Sequence, residues 1–186
     1  MTLGEGKKKV YMLIDEYSSG GAITEDEDIE LKMTAFFDIA QKDVAKKQKI
    51  VKSVTLPQTT ESGAESWHMP KDFVSVYRVW VNGKISRRNY LFHKNEIVPV
   101  GDERSLEVEY FAVPETINED TPDEHEFEVK EDGAQAMCFY VAAQQLFVDL
   151  VVDYGMLYQE YMRHYSQLDE SVGGEMQRTV HNVLWR

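Results

Sequence analysis

Apolar positions at the start of the chain recur at helical spacing. Thr2-Leu3-Gly4-Glu5 has the capping-box pattern, a hydroxyl followed three residues later by a carboxylate, and Val10, Leu13, Ile14 and Tyr17 then line one face. The pattern predicts a short amphipathic helix, halted by Ser18-Ser19-Gly20-Gly21. The acids of residues 25–28 suit the positive end of a second helix, whose stripe is Ile29, Met33, Phe36, Phe37, Ala40 and Val44 and which runs to about Lys49. From Ile50 the period changes to two. Val54 and Leu56 alternate with polar residues, Leu106, Val108 and Tyr110 alternate with Glu107 and Glu109, and Asn82-Gly83 is a hairpin signal. Residues 73–81 carry apolar side chains on both parities, the pattern of a central strand covered on both faces.

After Pro114 the pattern breaks. Residues 115–132 hold nine acids and one lysine, so this segment is expected to be an extended, exposed linker. Residues 134–152 are apolar all round, as in a buried helix, and Gly155 separates them from a fourth helix with the face Leu157, Tyr158, Tyr161, Met162, Tyr165 and Leu168. The sequence therefore reads as α+β, an antiparallel bundle of about four helices with a small antiparallel β-domain inserted between helices two and three. Its segments are 1–49 (two helices), 50–113 (β-region), 114–130 (acidic linker), 131–168 (helical hairpin) and 169–186 (C-terminal arm).

Composition narrows the function. At 186 residues, 42% hydrophobic and 28% charged, the chain is long enough for about one ordinary globular domain. Segment 134–152 is too polar to span a bilayer, with Gln135, Gln144, Gln145 and Asp149 inside it, and residues 1–10 lack the apolar run of a secretory signal. A net charge of −13 opposes a nucleic-acid-binding role, which needs clustered cations. The local group Lys42, Lys46, Lys47, Lys49 and Lys52 sits where a helix C-terminus favours positive charge.

Candidate chemistry is sparse. The sequence has no phosphate-binding glycine loop, no nucleophile elbow, no H-E-x-x-H and no C-x-x-C. The histidines, His68, His93, His125, His164 and His181, fall at no metal-ligand spacing, and His125 belongs to the acidic segment. Cys138 reads as core packing. No catalytic residue, metal ligand or cofactor is assigned. Two alternatives stay open: a small hydrolase using the paired carboxylates Glu107 and Glu109, or a carbohydrate- or peptide-binding β-module with Trp67, Tyr77, Trp80 and Tyr90 as its platform.

The C-terminal arm is more informative. Gly173-Gly174 breaks the chain, and Met176, Val180, Val183, Leu184 and Trp185 then form an apolar set too short to bury itself. These five residues are the candidate partner-binding site, an aromatic anchor behind a Gly-Gly hinge.

In layout the chain resembles the head-to-tail connector, or adaptor, proteins of tailed bacteriophages. The likeness rests on Thr2-Leu3-Gly4-Glu5 opening the first helix, Met69-Pro70-Lys71-Asp72-Phe73 leading into a strand, and the hairpin Val81-Asn82-Gly83. Leu106-Glu107-Val108-Glu109-Tyr110-Phe111 before the acidic segment, a third helix with Ala136, Tyr140, Ala142 and Ala143, and a fourth with Tyr158, Tyr161 and Tyr165 complete it, over roughly residues 1–168. The resemblance implies a structural virion protein at the head-tail interface. It implies a ring of twelve copies under the portal protein, a tail or stopper protein on the far side, and DNA passing through without specific binding. It also implies that the arm docks on the portal. A carboxylate-lined lumen would repel phosphates, in keeping with the charge of the chain.

Overall fold

The computed structural model describes residues 1–17, 27–57, 67–86, 90–93, 95–98, 105–148 and 154–168. Helix α1 (Leu3–Tyr17) begins at the capping box, where the Thr2 N–H donates to Glu5 Oε2 at 2.9 Å and the Glu5 N–H donates to Thr2 Oγ1 at 3.2 Å. Helix α2 (Glu27–Gln48) ends at Lys49, which adopts φ 54° and donates its N–H to the Ala45 carbonyl. The chain then forms β1 (Val51–Pro57), β2 (Trp67–His68), β3 (Phe73–Val81), β4 (Lys84–Ile85), β5 (Leu91–His93), β6 (Glu96–Val98) and β7 (Ser105–Ala112). It closes with α3 (Glu131–Val148) and α4 (Tyr154–Gln167). Among the described residues the fold is α+β: four helices, with a small antiparallel β unit inserted between α2 and α3.

Two units separate at Lys49/Ile50 and Val113/Pro114. In the helical unit, α3 packs against α1, α2 and α4, which explains why its apolar residues run all round it. Ala134, Ala136, Met137, Cys138, Val141, Ala142 and Ala143 are all buried. Their small side chains let the other helices approach closely. At Gly133 the approach is extreme: a Cβ there would lie 2.5 Å from Gln48 Oε1 and 2.7 Å from Val44 Cγ1. An aromatic seam joins α3 to α4, with Phe139 stacked on His164 at 4.9 Å and Tyr140 edge-on to Tyr161 at 5.2 Å. Lys47 of α2 donates to the Tyr165 and Ser166 carbonyls, so this lysine caps the C-terminal end of α4.

In the β unit, one sheet has the strand order β1-β7-β3-β4 and a second the order β2-β6-β5. Residues Asn82 (φ 52°) and Gly83 (φ 73°) make the hairpin between β3 and β4, the left-handed pair that a two-residue turn of this twist needs.

One expectation for β3 holds and one is corrected. It is an interior strand of the four-stranded sheet, between β7 and β4, although β4 pairs only with Trp80 and Val81. It is not covered on both faces, since Val74 is 57% exposed. Its double parity has another cause. Register shifts between Phe73 and Ser75, and again between Val76 and Arg78, make Phe73, Val76 and Val79 face Ala112, Tyr110 and Val108. Core-facing residues thus recur every third position on β3 and every second on β7, because each bulge adds a residue to one strand alone.

The acidic segment is also corrected. It lacks regular structure, but it is a strap bound along α2, with Ile117 3% and Phe127 6% exposed. Asp38 Oδ1 accepts the Ile117 N–H at 3.0 Å. Gln41 donates from Nε2 to the Glu115 carbonyl at 3.1 Å and accepts the Glu128 N–H on Oε1 at 3.0 Å. Gln48 accepts the Lys130 N–H at 2.9 Å and donates to Asp132 Oδ1 at 2.7 Å. The strap also meets α1: the Leu3 and Gly4 N–H groups donate to the His125 and Asp123 carbonyls, and Lys7 pairs with Asp123 at 2.8 Å. Most of its acidic residues are exposed while its backbone is held by protein, which is why acidity alone misread it. A final correction concerns Gly155, which lies in the first turn of α4 and does not precede it.

Candidate functional site

The five residues assigned to partner binding, Met176, Val180, Val183, Leu184 and Trp185, lie outside the described residues. Within them, two exposed apolar features stand out on the helical unit.

The first is on α4. Leu157, Tyr161 and Leu168 are buried, as the sequence pattern expects, but Tyr158 and Met162, assigned to the same face, are 42% and 45% exposed. They lie one residue round the helix from the buried line. With Tyr154 they form an outward stripe at i, i+4 and i+8, while exposed Met156 lies on the far side of the helix. The helix therefore carries one apolar stripe that its own unit covers and a second that it does not. Tyr161 marks the inward side. Its hydroxyl donates to Asp43 Oδ2 at 2.9 Å, and burial together with that carboxylate pushes its pKa upward.

The second feature is an open groove of about 530 Å³ between α2 and the strap. Leu31, Ala35 and Ile39 form its floor at i, i+4 and i+8, and the strap residues Glu119 and Asp120 form its rim. Sequence reading passed over it because Leu31 and Ile39 fall outside the buried stripe of α2 and the strap was expected to stand free. The signal available was the pair Ile117 and Phe127, two large apolar residues within an acidic run.

Residues of the hydrolase alternative occupy an open sheet face. Glu107 and Glu109 sit on β7 opposite the core-facing Leu106, Val108 and Tyr110, with Glu107 exposed and accepting a hydrogen bond from Ser53 Oγ at 3.2 Å. Across the sheet Glu109 pairs in register with Arg78 and Ser53. The binding-platform alternative is divided between surface and core: Trp67 and Tyr90 are buried, at 4% and 8% exposed, while Tyr77 and Trp80 are half-buried. Tyr77 packs on Phe111 and under the Arg78 guanidinium. These four rings do not share one exposed face.

Among the described residues no group of three or more His, Cys, Asp or Glu is placed to hold a metal ion, and no helix is long and apolar enough to cross a membrane. Cys138 lies deep in the helical core beside the Gly6 and Ala134 carbonyls, and burial pushes its thiol up to about 12 from 9.0. Two results follow. A thiol reagent at pH 8 labels the folded chain far more slowly than the denatured chain. And because the unfolded thiol ionises first, the folded state holds the extra proton above pH 9, so stability is fully present below pH 9 and falls as pH rises from there toward 12. Tyr161 shifts in the same direction and adds to the loss. Urea midpoints measured at pH 8, 9 and 10 for wild type and Cys138→Ala check the sign: the wild-type midpoint should drop more steeply than that of the variant.

No known protein family matches the chain, and no curated protein matches it in sequence.

Proposed function

We propose that this chain is a structural adaptor subunit of a tailed-phage head-tail connector. It forms a ring with further copies of itself under the portal protein, meets a tail or stopper protein on the other side, and lets DNA pass without specific binding. The observation that supports this reading most is the second apolar stripe on α4. Tyr158 and Met162 stay 42% and 45% exposed in a single copy, and a ring would supply a neighbour to cover them. The layout likeness described above points the same way, and so does the net charge of −13, which suits a conduit that phosphates must not adhere to. On this reading the chain has no catalytic residue and no cofactor, and Met176, Val180, Val183, Leu184 and Trp185 bind the portal.

Co-sedimentation with the portal protein from the same source tests the reading, comparing the full chain with one truncated after Leu168. Full-length protein should pellet with the portal and the truncated chain should stay in the supernatant. If neither pellets, the adaptor reading fails.

A further inference from the structure

The helical unit carries two exposed apolar surfaces that differ in shape and in charge. One is the ridge on α4 made by Tyr158 and Met162. The other is the groove between α2 and the strap, where Leu31 is 45% and Ile39 50% exposed, with exposed Ala35 between them. The floor row 31, 35, 39 and the ridge row 154, 158, 162 each rise by about 12 Å, and rows at i, i+4 spacing interdigitate when helices cross at about 50°. Alanine at the middle of the floor leaves a notch between two larger side chains, and Tyr158 stands at the middle of the ridge.

The groove lining holds three acids, Asp38, Glu119 and Asp120, and no cation. Asp38 pairs with Lys42, whereas Glu119 and Asp120 are exposed with no ion-pair partner among the described residues. Cations border the ridge instead. Lys46 pairs with Asp43 at 3.3 Å, Asp43 accepts the Tyr161 hydroxyl at 2.9 Å, and the Tyr161 ring centre lies 5.8 Å from that of Tyr158. The Lys46 side chain, 75% exposed, therefore stands beside the ridge, and exposed Arg163 is on α4 itself. The nearby carboxylates of Asp43 and Glu160 are already bonded within the unit.

We propose that the α4 ridge of one copy docks in the groove of a second copy, with Tyr158 over Ala35 and Lys46 facing Glu119 and Asp120. This rests on the connector reading and deepens it by naming the surfaces through which copies meet. Because the surfaces are unlike, two joined copies keep one free ridge and one free groove, the heterologous arrangement that a ring needs. Local charge of opposite sign also lets chains of net charge −13 associate in one register. The lysines at the end of α2 thus do more than complement the helix dipole.

Disulfide trapping tests this on full-length chains with no portal present. In a Cys138→Ala background, one preparation carries Ala35→Cys and a second, distinguished by a purification tag, carries Tyr158→Cys. A second pair is Ile39→Cys with Met162→Cys, and Val74→Cys, in the β unit, replaces the groove variant as control. All five positions are exposed, and circular dichroism confirms folding before mixing. Under mild oxidation both pairs should give mixed dimers well above the Val74 control. The double substitution Glu119→Lys with Asp120→Lys should weaken self-association in sedimentation velocity by about fivefold, and mixing that variant with Lys46→Glu should restore it. Copies that associate without trapping either pair above the control would overturn the docking and leave the connector reading standing. Copies that stay monomeric at every concentration would overturn the docking too, and co-sedimentation with the portal then judges the connector reading separately.

Discussion

Substituting Gly133→Val should lower the stability of the helical unit by about 3–5 kcal/mol. A valine Cβ meets Gln48 Oε1 at 2.5 Å and Val44 Cγ1 at 2.7 Å, closer than any real contact of that kind, and its two methyl groups need still more room. Neither neighbour can yield cheaply. Val44 is fully buried against α3, and Gln48 is fixed at both ends of its amide, by the Lys130 N–H and by Asp132 Oδ1. Moving Gln48 leaves the Lys130 N–H without its partner, a penalty of about 1–3 kcal/mol on top of the overpacking. Intrinsic helix propensity works weakly the other way, since glycine is a poorer helix former than valine by about 0.4 kcal/mol, so a stability gain on replacing Gly133 would show that the approach is looser than described. Urea unfolding followed by far-ultraviolet circular dichroism reads the result, and shortening the obstacle with Gln48→Ser should recover part of the loss in a Gly133→Ala background but not in wild type.

The second large effect is expected at Gln41. Replacing it by leucine keeps the volume and the burial but removes both hydrogen bonds, leaving the Glu115 carbonyl and the Glu128 N–H facing an apolar side chain. Two orphaned backbone groups at about 1–3 kcal/mol each, partly offset by the apolar gain, predict a loss of about 2–4 kcal/mol and local release of the strap before global unfolding. Hydrogen exchange gives the specific readout: the amides of Ile117 and Glu128 should lose protection in Gln41→Leu while amides in the middle of α3 keep theirs. Equal protection in wild type and variant would mean that Ile117 and Phe127 packing and the Asp38 and Gln48 bonds hold the strap without Gln41.

Much of the fold was legible in the sequence wherever the cause is local. The Thr2/Glu5 capping box, the Asn82-Gly83 turn and the alternation of Leu106, Val108 and Tyr110 each depend on residues a few positions apart, and each appears where the pattern put it. The all-apolar character of α3 was legible too, because a helix touched by three others shows it in composition. What escaped depends on partners distant in sequence. The two bulges of β3 exist only relative to β7, so a single strand's parity was read as double burial. The strap was hidden for a related reason: nine acids dominate its composition, while its attachment runs through backbone groups and the side chains of Asp38, Gln41 and Gln48, some eighty residues away. On α4, Tyr158 and Met162 read as core because tyrosine and methionine suit both an interior and an interface, and spacing alone does not separate neighbouring helical faces.

One junction has a consequence for how such a chain is built. The Ala112 N–H donates to the Ile50 carbonyl at 2.9 Å, and β1 and β7 pair in register from Val51 with Phe111 onward, so the inserted unit starts and finishes at neighbouring residues. Its own sheet closes the gap between its ends. The helical unit therefore sees the insertion as it would see a tight loop, and bears little of the entropy that a free chain of that length would impose. An insertion of this kind is a cassette: evolution or an engineer can exchange it, lengthen it or replace it by a short turn from Lys49 to Pro114, leaving the packing around α3 to be kept by the four helices and the strap.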